Sequence, residues 1–160
     1  MLKVNKSMEQ LLSSQTSVNN HCEYISFIDR IIQNTKAIKE SIVYDTEGID
    51  ESLVDFQRIF KYVDDWTGYE IMCNEILFQS SVLPASQYIV FAKKLQDSLQ
   101  SKFSGKRFAI YLCAKNDFIE LRFHTYRKNE GLWLNDDLNE YDDPVLCFLG
   151  ENECFSKKAD

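Results

Sequence analysis

The hydrophobic period of this chain changes at Gly105. Ahead of it, behind Pro84, the residues Tyr88, Ile89, Ala92, Leu95, Leu99 and Phe103 recur at helical spacing; beyond it, Arg107–Cys113 and Phe118–Tyr126 are strand-like. Residues three and four apart share a helix face, whereas alternate residues share a strand face, so the switch divides a helix from a sheet. Gly105 supplies the usual kind of helix stop, and Lys115-Asn116-Asp117 carries hairpin turn chemistry between the two strands. In the second strand Ile119, Leu121, Phe123 and Thr125 alternate cleanly. Val145–Leu149, set off by Pro144 and Gly150, forms a third short strand.

The N-terminal half is patterned for helices. Tyr24, Phe27, Ile28, Ile31, Ile32 and Ile38 predict an amphipathic helix over 20–41, with Asn19 or Asn20 to accept from its first amides. Asp45-Thr-Glu-Gly48 breaks it. Asp50 is an N-cap for a second helix over 51–63, on the stripe Leu53, Phe56, Ile59, Phe60 and Val63. Thr67-Gly-Tyr-Glu70 has the form of a capping box for a third over 68–79, through Tyr69, Met72, Cys73, Ile76 and Leu77. A buried strand competes there, because 70–78 is rich in β-tolerant residues. The fourth helix covers 85–104. Helices first and strands later predict an α+β class with a small antiparallel sheet. A chain of 160 residues without repeat or linker is expected to make one globular domain, with 1–18 weakly patterned and prone to fray.

Composition excludes several classes. Eleven Phe and eight Tyr against five Gly and two Pro are not a disordered composition, and no apolar run is long enough to span a membrane. The net charge of −7 disfavours nucleic acid as a partner. Polar residues interrupt the start before a signal-like apolar run forms, so a cytoplasmic location is expected. Cys22, Cys73, Cys113, Cys147 and Cys154 have no paired spacing and read as reduced thiols, with Cys113 and Cys147 the clearest buried ones. No cofactor or metal is expected: the glycines are isolated, and Asp64-Asp65, Asp136-Asp137 and Asp142-Asp143 are doublets whose neighbours diverge on a strand. The run 136–143 also lacks the central Gly and terminal Glu of a calcium loop. The aromatics Phe108, Tyr111, Phe123 and Tyr126 suit base stacking, but fit the core face of a half-buried sheet more cheaply.

Charge is unevenly distributed. Residues 101–130 hold seven bases and three acids, whereas 131–160 hold two bases and eight acids. Asp136, Asp137, Glu140, Asp142 and Asp143 place five carboxylates in eight residues, with Tyr141 among them and Trp133 just ahead. As a functional surface this is an acidic array with aromatic anchors facing a basic protein partner; as a structural one it is a solvated loop. Cys113 and His124, on neighbouring strands, are the candidate pair for a small enzyme.

The order of helix 85–104, the hairpin Phe108–Cys113 and Phe118–Tyr126, then Gly131-Leu-Trp-Leu-Asn-Asp-Asp137 and Asp143-Pro-Val-Leu146 is similar to small stand-alone immunity proteins of bacterial polymorphic-toxin and contact-inhibition systems. The resemblance covers about residues 85–150, in style, size and charge. It implies a non-catalytic α+β protein that neutralises one cognate toxin by direct binding; the acidic array itself, not the resemblance, supplies the expected surface, Trp133, Asp136, Asp137, Glu140, Tyr141, Asp142 and Asp143. A regulatory adaptor is the other binding reading.

Overall fold

The computed structural model describes residues 1–14 and 23–151. Five antiparallel strands form one sheet in the order β1 (Leu2–Val4), β7 (Val145–Leu149), β5 (Phe108–Lys115), β6 (Phe118–Thr125) and β4 (Glu75–Gln79). A separate hairpin joins β2 (Thr35–Ile38) and β3 (Ser41–Tyr44). The α-helices among the described residues are α1 (Lys6–Ser13), α2 (Glu23–Gln33), α3 (Phe56–Val63), α4 (Trp66–Cys73) and α5 (Tyr88–Lys102). The class is α+β, as the segment order predicts.

The β5–β6 hairpin turns through Asn116, at φ +44°, and its register runs from Phe108 opposite Thr125 to Lys115 opposite Phe118. Alternation then divides the sheet. Phe108, Ile110, Leu112, Ile119, Leu121, Phe123 and Leu146 face one core, shared with Phe91, Leu95 and Leu99 of α5 and Ile28 and Ile31 of α2. Ala109, Tyr111, Val145, Cys147 and Leu149 face a second core with Ile71 and Leu138. Two covered faces explain why Phe108-Ala-Ile-Tyr-Leu112 is a continuous apolar run. Tyr111 therefore lies on the opposite face from Phe108 and Phe123, and the aromatics divide between two cores. Phe91, rather than the exposed Ile89, fills the apolar stripe of α5.

The N-terminal half departs from expectation at four places. Residues 1–14 are structured: β1 pairs Leu2 with Phe148 and Val4 with Leu146, and Asn5 caps α1 by accepting from the Met8 amide at 2.9 Å. Nothing in the local pattern announces a partner strand so distant in sequence. The helix expected over 20–41 ends at Gln33, where Asn34 Nδ2 donates to the Arg30 carbonyl and Thr35 Oγ1 to the Ile31 carbonyl. The β-tolerant residues that follow make the β2–β3 hairpin, which turns at Lys39 with φ +51°. Asn19, Asn20, His21, Cys22 and Cys154 lie outside the described residues.

The helix expected over 51–63 is cut in two by a second cap. Asp50 caps only a 3-10 turn over Glu51–Leu53, and Asp55 accepts from the Arg58 amide to begin α3. The segment 68–79 is likewise divided: α4 is capped by Asp65, which accepts from the Gly68 amide at 2.7 Å, and the competing strand reading holds for β4. The capping box does not form. Thr67 donates through its amide and hydroxyl to Glu130, and Glu70 turns inward.

Glu70 is fully buried and accepts hydrogen bonds only. Ile42 N (2.7 Å) and Thr125 N (2.5 Å) donate to it, as do Thr125 Oγ1 (3.1 Å) and Arg127 Nη2 (2.8 Å). Burial raises its pKa, while Arg127 and the two amides oppose that shift. With every neighbour a donor, the carboxylate form satisfies them all. Asn74, also fully buried, accepts from Tyr44 N and donates to the carbonyls of Ile42 and Phe123. These two side chains bond the edge of β3 to β6 in place of a backbone ladder. At the hairpin's other end Lys36, followed by the amides of Ile49, Gly48 and Glu47, holds the Asp45 carboxyl down to about 2. Glu70→Ala should strand Arg127 and the β3 amide and cost about 3–5 kcal/mol in urea unfolding. Removing the exposed Lys3–Asp136 pair (2.9 Å) by Asp136→Asn should leave the urea midpoint nearly unchanged.

Candidate functional site

The covered second face of the sheet ends in a groove of about 390 Å³. Its floor is Tyr111, Cys113 and Lys115 of β5 with Glu120 and Arg122 of β6; its wall is Trp133, Leu134 and Glu140–Asp143. Glu120 and Arg122 come to this face because they alternate with the buried Ile119, Leu121 and Phe123.

The wall has little regular structure, so individual bonds position it. Asn5 Nδ2 donates to the carbonyls of Asp143 (2.7 Å) and Tyr141 (3.1 Å), and Asn5 Oδ1 also accepts from Val145 N. Leu132, Leu134 and Leu138 turn toward the core while the carboxylates turn outward. Tyr141 Oη accepts from Asn135 N. Trp133 is fixed from below: its amide donates to Tyr111 Oη at 3.1 Å, its ring meets Tyr111 edge to face, and the Arg122 guanidinium lies 5.3 Å from its centroid. It nevertheless remains 41% exposed.

The bases of the groove are committed to acids. Lys115 Nζ lies 2.6 Å from Glu120, whose other oxygen takes Arg122 Nε at 2.5 Å; Arg122 also reaches Glu75 and the Ile71 carbonyl. Burial works against the Glu120 carboxylate, but Lys115 and Arg122 outweigh it and hold its pKa below the usual range. Asp142 and Asp143 form no ion pair among the described residues. The rim is therefore anionic.

Five of the seven residues named from sequence meet at this groove: Trp133, Glu140, Tyr141, Asp142 and Asp143. Asp136 and Asp137 lie outside it. Asp136 pairs with Lys3, and Asp137 caps the 3-10 turn Leu138–Glu140 by accepting from Asn139 N. Sequence reasoning missed Glu120, Arg122 and Lys115, although strand alternation puts the first two opposite the core set. It also missed Asn5, whose partners lie more than 130 residues away.

Cys113 and His124 do not face each other: Cys113 is opposite Glu120 and His124 opposite Ala109. Cys113 is half-buried on the groove floor rather than enclosed, 3.9 Å from Asp143 Oδ2. Burial, and then the Asp143 carboxylate, push its thiol up to about 11, so the thiolate is scarce at neutral pH. His124 is fully buried, with Nδ1 2.9 Å from the Thr125 carbonyl and Nε2 2.9 Å from Tyr111 Oη. Nδ1 therefore carries the proton, Nε2 accepts from the Tyr111 hydroxyl, and that hydroxyl accepts from Trp133 N. Among the described residues no group of three or more His, Cys, Asp or Glu could hold a metal ion. No described helix is long and apolar enough to cross a membrane.

An α+β scaffold with an anionic, aromatic-walled groove on one sheet face defines the molecule. The chain belongs to the uncharacterized protein PM0498 family, whose model matches residues 3–157. No curated protein and no solved structure matches it.

The histidine beneath the wall makes stability depend on pH. Burial lowers the His124 pKa from 6.5 to about 4. The unfolded chain then binds the extra proton first, so this contribution is whole above pH 6.5 and is lost as pH falls toward 4. Urea unfolding should show a loss on the order of 2–3 kcal/mol between about pH 7 and 4.5, and a His124→Gln variant should show a flatter profile over that interval.

Proposed function

We propose that this chain is a protein-binding inhibitor of the immunity type, which neutralises a toxin domain by seating a basic surface of it in the groove. One observation carries the reading: half-exposed Trp133 and Tyr141 flank a concave site where the Asp142 and Asp143 carboxylates have no ion pair among the described residues. A fixed aromatic beside uncompensated carboxylates suits a lysine or arginine of a partner, by charge and by contact with the ring. The arrangement also suits competition with a phosphate-bearing substrate for a basic cleft. The resemblance of residues 85–150 to immunity proteins points the same way.

The test is co-expression with a toxin domain encoded beside this chain. Restored growth and a stable complex support the reading; a toxin that stays active, with no complex, removes it. Once a complex is in hand, Glu140→Gln, Asp142→Asn and Asp143→Asn together should slow association and weaken its salt dependence, with thermal stability nearly unchanged. Trp133→Ala should cost about 2 kcal/mol of affinity. Asp136→Asn should leave binding as it was, since that carboxylate lies outside the groove. If the acid variants bind as before and Trp133→Ala lowers only the melting temperature, the contact surface lies elsewhere.

A further inference from the structure

The sheet ends in two terminal strands, β1 and β4, whose outer edges no described strand pairs, and of these the three-residue β1 carries a lysine, Lys3. β4 bonds to β6 from Glu75 opposite Arg122 to Gln79 opposite Phe118, and it is last in the strand order. Unpaired edges are ordinarily guarded by lysine, proline or a bulge, because they template pairing with another chain. β4, Glu75-Ile-Leu-Phe-Gln79, has neither lysine nor proline. Its single charge, Glu75, is answered from within by Arg122 at 2.5 Å. Leu77 is 61% exposed at the centre, and Phe118 on the neighbouring strand is 53% exposed on the same face.

We infer that β4 pairs antiparallel with β4 of a second copy of this chain, joining two five-stranded sheets into one across a two-fold axis at Leu77. The strand is self-complementary about its centre. In that register Leu77 meets Leu77, Ile76 meets Phe78, and Glu75 meets Gln79, so no like charges oppose each other. The second face gains a covered Leu77 pair, the first face a continued run of Ile76 and Phe78, and the Gln79 carboxamide can donate to Glu75 of the other copy. A five-residue strand pair is a small interface, so the dimer is concentration-dependent. No β4 residue lines the groove, and the pairing stands independently of the proposed binding function.

Sedimentation equilibrium from low micromolar to near millimolar protein tests the pairing, with circular dichroism and melting temperature confirming that each variant is folded. The wild-type chain should pass from 18.7 kDa toward twice that mass. Leu77→Lys should remain monomeric throughout, because it sets two lysines against each other on an already exposed position. The decisive pair is at Gln79. Gln79→Lys should tighten the dimer and Gln79→Glu loosen it, each a few-fold and each counted twice by the symmetry. A wild-type chain that stays monomeric at every concentration overturns the pairing and leaves the edge to a strand from a different protein. A dimer indifferent to Leu77→Lys and to both Gln79 variants overturns it equally, by placing the contact on another face.

Discussion

The rest of the molecule is arranged around the burial of both faces of β5. Phe108, Ile110 and Leu112 point one way and Ala109 and Tyr111 the other, and all five are almost wholly removed from water. A strand of that kind cannot sit in a half-exposed sheet; it needs a layer on each side. α5 and α2 supply one. Among the described residues no second pair of helices covers the other, and the cover there is Ile71 in the last turn of α4 with the chain from Leu132 to Tyr141. The groove exists because that cover is irregular and stops short of Lys115 and Glu120.

This resolves what an acidic segment does against a hydrophobic sheet. Its leucines pack inward and its carboxylates remain in water, so it is both a core lid and a charged surface. Holding such a segment down takes polar bonds as well as apolar contact. Asn5 supplies two of them, to the carbonyls of Tyr141 and Asp143, and the His124–Tyr111–Trp133 chain supplies a buried neutral support on the sheet side. The opposing carboxylate logic appears at Glu70, where a full set of donors makes a buried charge into a joint between β3 and β6.

What could be read from the sequence follows physical range. The hairpin 108–125, α5 and β7 are specified by periodicity and local turn residues and form as expected, but the faces differ in part: Tyr111 lies opposite Phe108 and Phe123, and Phe91 takes the place of Ile89. The alternating set Ile119, Leu121 and Phe123 also carried, unrecognised, the opposite set Glu120 and Arg122 that floors the groove. The N-terminal half was harder, since short apolar runs such as Ile38–Tyr44 and Ile76–Phe78 fit either period. Competing caps shortened the predicted helices: Asp55 displaced Asp50 as the start of α3, and Asp65 displaced the Thr67–Glu70 box. The acidic segment was legible as a unit, but its division was not. Only the fold decides that Asp142 and Asp143 border a groove while Asp136 reaches Lys3 and Asp137 caps a turn.

The pairing of β1 with β7 bears on the order in which the protein is made. Leu2 meets Phe148, so β1 finds its neighbour only after the whole of the chain between them, β5 and β6 included, has left the ribosome. Closing so long a loop is entropically slow, and the reward is three residues of ladder plus the Asn5 bonds. The β5–β6 hairpin and α5 can meet earlier from local contacts. Because Asn5 joins β1, α1 and the acidic wall at one point, the groove takes shape during synthesis only after the β5–β6 hairpin that floors it.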